Sequence, residues 1–241
     1  MCFHNSLSKK ALEVAQRYNI KVIPELQFNP IFHSSGFVYP NWLTITNFNN
    51  DSIELMSWGL IPKWAQSREK ANEIKSMTLN AMSETAFEKP SFKDSFKTNR
   101  CLIPSTGFFE WKEVGGKKYP YFIYDKSSEI FSMAGIWQEW VDKITGEIFK
   151  TFSILTKPAN KLMAEIHNTK KRMPVILPIE VEKTWINSNL NVEQMKEILN
   201  ENYTLNLEAR TISKTITAKG INTNVPEISN PFYYQELNTL F

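Results

Sequence analysis

Five short stretches rich in β-branched and aromatic residues follow one another between Arg100 and Thr156, and this succession restricts the fold more than any other feature. The stretches are Arg100–Pro104, Gly107–Lys112, Tyr119–Asp125, Ile130–Trp137 and Thr151–Thr156. Gly115-Gly116 and Thr145-Gly146 fall between them and mark hairpin turns, where residues at positive φ are needed. Trp42–Phe48 and Ile53–Trp58 read as two further strands across a turn-rich Asn49-Asn50-Asp51. Helical spacing is found over 6–19, where Leu7, Ala11, Val14, Ala15 and Tyr18 share one face. Helical pieces are also predicted around 84–98, with Pro90 at a helix start and Phe92 and Phe96 paired. Pro158–His167 reads as helix, Arg172–Leu177 as strand, and Asn191–Asn200 as a helix capped by Asn191 with Gln194. The expected fold is therefore α+β: a curved antiparallel β-sheet or barrel-like core with peripheral helices.

Composition agrees with one domain over 1–241. A chain of 241 residues buries roughly 70–75% of its unfolded surface and needs no disulfide staples. No repeat, low-complexity tract or Pro/Ser/Gly-rich linker divides it, and residues 179–241 are expected to complete the domain. The net charge of +3 is too small to mark a strongly basic nucleic-acid binder, so any basic footprint must be local. The two cysteines, Cys2 and Cys101, give neither a disulfide framework nor a metal spacing, and no metal or cofactor is expected. Sparse cysteines, no secretory signal and no stretch long enough to span a bilayer lead us to expect a soluble, cytoplasmic monomer.

Cys2 is the first candidate for chemistry. With Met1 removed it carries an α-amine and a thiol on adjacent carbons. Such a 1,2-aminothiol attacks an aldehyde with nitrogen and then closes a five-membered thiazolidine with sulfur. The two groups titrate near ~8 and ~8.5 in model peptides, so both are partly nucleophilic at neutral pH. Alone, a Met-Cys start is unremarkable, and three downstream segments give it meaning.

In Thr78–Thr85, Asn80 reads as a turn former, or as an amide that holds the Cys2 amine. In Arg100–Trp111, Glu110 stands among aromatics; by alternation it shares a face with Phe108 and opposes Phe109 and Trp111. It is either a solvent-facing strand glutamate or a carboxyl in an aromatic pocket with a raised pKa, suited to acid/base work. In Ile166–Val175, His167 closes a helix before Lys170, Lys171 and Arg172, which form a solvated turn or a phosphate clamp. Finally, Trp58–Trp64 is an aromatic loop, usually buried, whose Trp64 would stack on an unpaired base if exposed.

Taken in order, these segments closely resemble the SOS-response-associated peptidase family, whose members crosslink to abasic sites in single-stranded DNA. The matching residues are Met1-Cys2, Trp58–Pro62 with Trp64, Asn80-Ala81 with Ser83-Glu84-Thr85, Arg100–Pro104 with Gly107–Trp111, Thr156, and His167 with Arg172–Val175. The resemblance implies Cys2, Asn80, Glu110 and His167 as catalytic residues and Trp64, Thr156 and Arg172 as DNA contacts. Glu110 would act near the sugar ring oxygen and the amine, His167 on the opposite side of the sugar, and Asn80 would orient the amine. Single-stranded DNA containing abasic sites is the implied partner, and self-removal of Met1 the implied peptidase step. The chain departs from the family at Phe3 and His4, where Gly-Arg is usual, at Met82, where Arg is usual, and in a longer His167–Arg172 spacing. The two missing arginines would be expected to meet DNA phosphates.

Two other classes compete: a thiol hydrolase acting on peptides or amides through an N-terminal nucleophile, and a noncatalytic single-stranded nucleic-acid binder using Trp64 as a platform. A mass shift with abasic oligonucleotide separates the crosslinking reading from both.

Overall fold

Strand pairings, rather than helices, set the architecture of this computed structural model, which describes residues 2–23 and 26–237. Strand β1 (His4–Leu7) leads into helix α1 (Ala11–Tyr18), then β2 (Ile31–Ser35), β3 (Asn41–Thr46) and β4 (Glu54–Trp58). Helix α2 (Arg68–Lys75), the short β5 (Asn80–Met82) and α3 (Lys93–Thr98) follow. Next come β6 (Arg100–Ser105), β7 (Gly107–Val114), β8 (Lys117–Asp125), β9 (Phe131–Val141) and β10 (Ile148–Pro158). Helix α4 (Lys161–Ile166), β11 (Arg172–Pro174), β12 (Ile176–Leu177), α5 (Ile179–Trp185), α6 (Val192–Asn200) and β13 (Leu207–Thr211) complete the order.

Five strands close into a barrel-like ring: β3 pairs with β4, β4 with β10, β10 with β9, β9 with β6, and β6 with β3. All these pairings are antiparallel except β4 with β10, which is parallel. β5 and β11 add to β10, and β12 adds to β9. A second, five-stranded sheet runs in the order β13-β8-β7-β1-β2. One core joins the two: Leu7, Phe108 and Ile123 from this sheet pack in the same cluster as Leu102, Ile136 and Ile154 from the ring. Buried indoles are satisfied as burial requires, with Trp42, Trp58 and Trp185 donating to the carbonyls of Pro104, Leu79 and Cys101. No described helix is long and apolar enough to cross a membrane.

Three expectations change. The helix expected over 6–19 begins only at Ala11, because residues 4–7 are held as a strand between β7 and β2. The segment before Lys93 is a run of turns, and Pro90 precedes the helix instead of opening it. The strand expected over 172–177 breaks at Val175, whose N–H and carbonyl bond Leu155 and Ala134 on two different strands. The capped helix stands as expected: Asn191 and Gln194 each accept the other's backbone N–H, over 2.9 and 3.0 Å. Of the terminal aromatics Phe232, Tyr233 and Tyr234, only Tyr234 is buried.

Candidate active site

Position on an inner strand carries Cys2 into the fold. His4 lies opposite Phe109 of β7 and Ser35 of β2. The pairing continues one residue outward, where the Gly36 N–H donates to the Phe3 carbonyl over 2.7 Å. Gly107 allows the close approach of β7, since a Cβ there would lie 2.2 Å from the Phe122 ring. Cys2 is consequently fully buried. Its carbonyl accepts from Asn80 Nδ2 over 2.8 Å, and its Sγ lies 3.8 Å from the His4 carbonyl. Burial drives the thiol well above its ordinary range, with the Glu110 charge adding to the effect. Asn80 reaches Cys2 because β5 runs parallel to β10, with Asn80 opposite Ile154. It is a strand residue, not a turn former, and it grips the Cys2 carbonyl. Its Oδ1 is buried with no partner among the described residues.

Glu110 follows the alternation read from sequence. Phe108 enters the main core, whereas Phe109 and Trp111 pack in a separate cluster with Phe122 and Ile212. Of its two readings, the structure supports the pocket one: the side chain is buried, and Oε1 has no hydrogen-bond partner among the described residues. Desolvation pushes the carboxyl up to about 8, so it keeps its proton at neutral pH.

Helix α4 delivers His167 as its C-cap. The following loop is pinned to β7 by Asn168, whose amide accepts from the Glu113 N–H and donates to the Glu113 carbonyl over 3.0 and 2.8 Å. Lys171, at φ 49°, turns the chain back and donates its N–H to the His167 carbonyl. His167 Nδ1 then lies 2.9 Å from the Arg172 carbonyl. A carbonyl only accepts, so the neutral ring carries its proton on Nδ1 and its basic lone pair on Nε2. Burial holds the imidazole below its ordinary value, favouring that neutral form. Nδ1 is 3.9 Å from Glu110 Oε1, so the two groups are close neighbours in the site.

A cavity of about 760 Å³ is lined by Glu110, His167, Trp111 and Arg172, with His4, Phe3 and Met82 beside them. The Arg172 guanidinium is already engaged: it forms a two-pronged ion pair with Glu84 and donates to the Thr156 carbonyl over 2.7 Å. Thr156 is fully buried and meets Arg172 through its carbonyl and, over 3.3 Å, its Oγ1. A second cavity of about 370 Å³ shares Phe3 and Met82 with the first and extends to Pro90. Trp64, 45% exposed, donates its indole N–H to the Pro90 carbonyl over 3.0 Å and so stands at the far end of this groove. Thus Asn80 and Cys2 meet, Glu110 and His167 meet, and Trp64 stands apart. Sequence reasoning missed the Glu84 pairing with Arg172 and the bond from His4 to His33. Both join residues far apart in the chain, and no local pattern signals them.

The sequence matches the family described as SOS response associated peptidase (SRAP) over residues 1–219. The chain belongs to that family. Among its relatives is the abasic site processing protein YoqW of Bacillus subtilis, 35% identical over 232 residues, which cover 95% of this chain and 98% of that protein. Another, the abasic site processing protein YobE of the same organism, is 34% identical over 222 residues, covering 90% and 97%. A crystal structure of a protein from Bacteroides thetaiotaomicron superposes with a TM-score of 0.90 at 42% identity, covering 96% of this chain and all of that one. The family match and the structural likeness thus extend well past the motifs, which end near Val175, into the C-terminal segment.

Proposed function

We propose that this protein recognises abasic sites in single-stranded DNA and captures the open-chain aldehyde as a thiazolidine on Cys2, after removal of Met1. The observation that carries the reading is a protonated carboxyl, Glu110, beside a neutral imidazole, His167, in one cavity next to a buried Cys2 gripped by Asn80. The relatives' names as abasic site processing proteins support it. Met1 itself lies outside the described residues.

An abasic deoxyribose is mostly a closed hemiacetal. Opening it breaks the bond between C1′ and the ring oxygen while the anomeric hydroxyl loses a proton. Glu110 supplies the proton that the ring oxygen takes, and His167 Nε2 serves as acceptor for the anomeric one; such positioned groups contribute roughly 10²–10⁴-fold. The buried, unpaired Asn80 Oδ1 is the acceptor that would orient the Cys2 amine. Because burial keeps the thiol protonated, nitrogen attacks first, the imine forms, and sulfur closes the ring. Closure precedes the β-elimination that an open imine would undergo. Removal of Met1 by the Cys2 thiol is the peptidase step we assign. Arg172 is the proposed phosphate contact, held by the Thr156 carbonyl, and Trp64 the stacking surface along the groove.

Intact mass of the purified protein, alone and with an abasic single-stranded oligonucleotide, tests this. The expected result is a chain lacking methionine and an adduct equal to the sum of the partners less one water. An adduct on a chain that retains Met1 would exclude the α-amine, and tight binding without an adduct would leave a noncatalytic binder.

A further inference from the structure

Two of the three histidines are not used in the proposed chemistry, and they are bonded to each other. His4 Nδ1 lies 2.9 Å from His33 Nε2, and His33 Nδ1 lies 2.7 Å from Thr223 Oγ1. The imidazole planes are parallel to within 2°, and each is met edge-on by an aromatic wall: Trp111 against His4 and Phe109 against His33. His4 lines the cavity that holds Glu110 and His167, His33 is buried behind it, and Thr223 is half-buried on the outer side. We propose that His4, His33 and Thr223 form a proton relay leading out of this cavity, and that it carries away the proton released when the adduct forms; the inference rests on the crosslinking reading above.

Stoichiometry supplies the need. An α-amine titrating near about 8 is mostly ammonium at pH 7. Ammonium, thiol and aldehyde therefore give thiazolidine, one water and one proton. Glu110, having given its proton to the ring oxygen, regains one because burial holds its carboxyl at about 8, and a proton left on His167 would place a cation beside Lys170 and Arg172, which line the same cavity with Lys118 and Glu113. The bonded His4 and His33 offer that proton an exit through the protein.

Hydrogen-bond accounting supplies the route. Burial holds both rings far below their ordinary value, at about 4, so each is neutral and carries one N–H. The chain then has two arrangements. In one, His4 Nδ1–H donates to His33 Nε2, and His33 Nδ1–H donates to Thr223 Oγ1, which leaves the His4 Nε2 lone pair for the cavity. In the other every bond is reversed and His4 Nε2 carries hydrogen. When Nε2 accepts a proton, its Nδ1 proton passes to His33 Nε2, the His33 Nδ1 proton passes to Thr223, and the threonine hydroxyl gives its own to water. One proton enters, one leaves, and the first arrangement becomes the second. Since each molecule forms one adduct, a single passage suffices.

Single-turnover adduct formation at pH 7 with an abasic oligonucleotide is the test, run in water and in deuterium oxide. Thr223→Val should slow adduct formation about tenfold, within the range of one positioned proton-transfer group, and change the solvent isotope effect. Final yield and affinity for a strand bearing a reduced abasic site should stay unchanged, and Thr223→Ser should behave as wild type. His33→Gly should be slow and regain rate with added imidazole. Wild-type rates and isotope effects in folded Thr223→Val and His33→Gly would overturn the relay; should His33→Gly not fold, the Val/Ser pair at 223 decides. If wild type forms no adduct, the crosslinking reading fails, and the relay is judged by ¹⁵N spectra of the free protein. Coupled His4 and His33 resonances that shift together in Thr223→Val would support the relay, and independent rings would refute it.

Discussion

Glu110 is buried, and its Oε1 has no hydrogen-bond partner among the described residues. Holding a charge there is unfavourable, so the proton stays on until about 8. The stability consequence has a definite sign. The unfolded carboxyl titrates near about 4.3, so between there and about 8 the folded state binds the extra proton. This stability is fully present below the unfolded value and is lost as pH rises through the folded one. Glu110→Gln should therefore match wild type in denaturant melts at about pH 4 and exceed it at about pH 9, by on the order of a few kcal/mol at most. The same variant should form adduct roughly 10²-fold more slowly at pH 7, because an amide cannot give up a proton to the ring oxygen. Equal stability at both pH values would mean that the carboxyl is hydrated.

At the scale of elements, β1 and the loop after α4 do the positioning. β1 fixes Cys2 by pairing on both edges, and the loop sets His167 beside Glu110 through Asn168 and Lys171. β11 begins with Arg172, whose charge Glu84 neutralises. Glu84→Gln should free that charge, tightening binding to single-stranded DNA and steepening its salt dependence by about one unit or less, while Arg172→Ala should weaken and flatten it. Titration of binding against salt concentration reads both; identical slopes in all three proteins would place Arg172 away from the phosphates. Much of this level was legible. The strands between Arg100 and Thr156 were placed from β-branched runs and glycine turns, and the side of β7 on which Glu110 lies from alternation alone. β1 was not, because Leu7 falls on the same helical spacing as Ala11 and Val14, and four residues show no strand period against it. β5 is three residues long and owes its conformation to β10, far along the chain.

Across the whole molecule, the barrel-like ring and the second sheet share one core, and the cavity is lined from β1, β7, β11 and the segment after α4. That convergence is why the proposed catalytic set was legible only as ordered motifs: Cys2, Asn80, Glu110 and His167 come from four separate segments. The cost of enclosing two imidazoles is also a property of the whole fold. His4 and His33 titrate near about 4 when folded and about 6.5 when unfolded, so the unfolded chain binds more protons between those values. Their stabilising contribution is present above about 6.5 and lost as pH falls through about 4. Stability should decline over that window, and His33→Gln should make the decline shallower. A pH-independent melting temperature from 7 to 4 would contradict the buried, neutral pair.

The central claim is that Cys2 nitrogen and sulfur both end on the same sugar carbon. An abasic oligonucleotide labelled with ¹³C at C1′, reacted with the protein and digested to a peptide adduct, reports this by NMR. The wild-type product should show one saturated carbon bonded to both nitrogen and sulfur, stable to heat. With Cys2→Ser that signal should be absent, and borohydride should instead trap a saturated amine from the imine. A wild-type carbon that remains an imine, or one joined to a lysine side chain, would contradict the account.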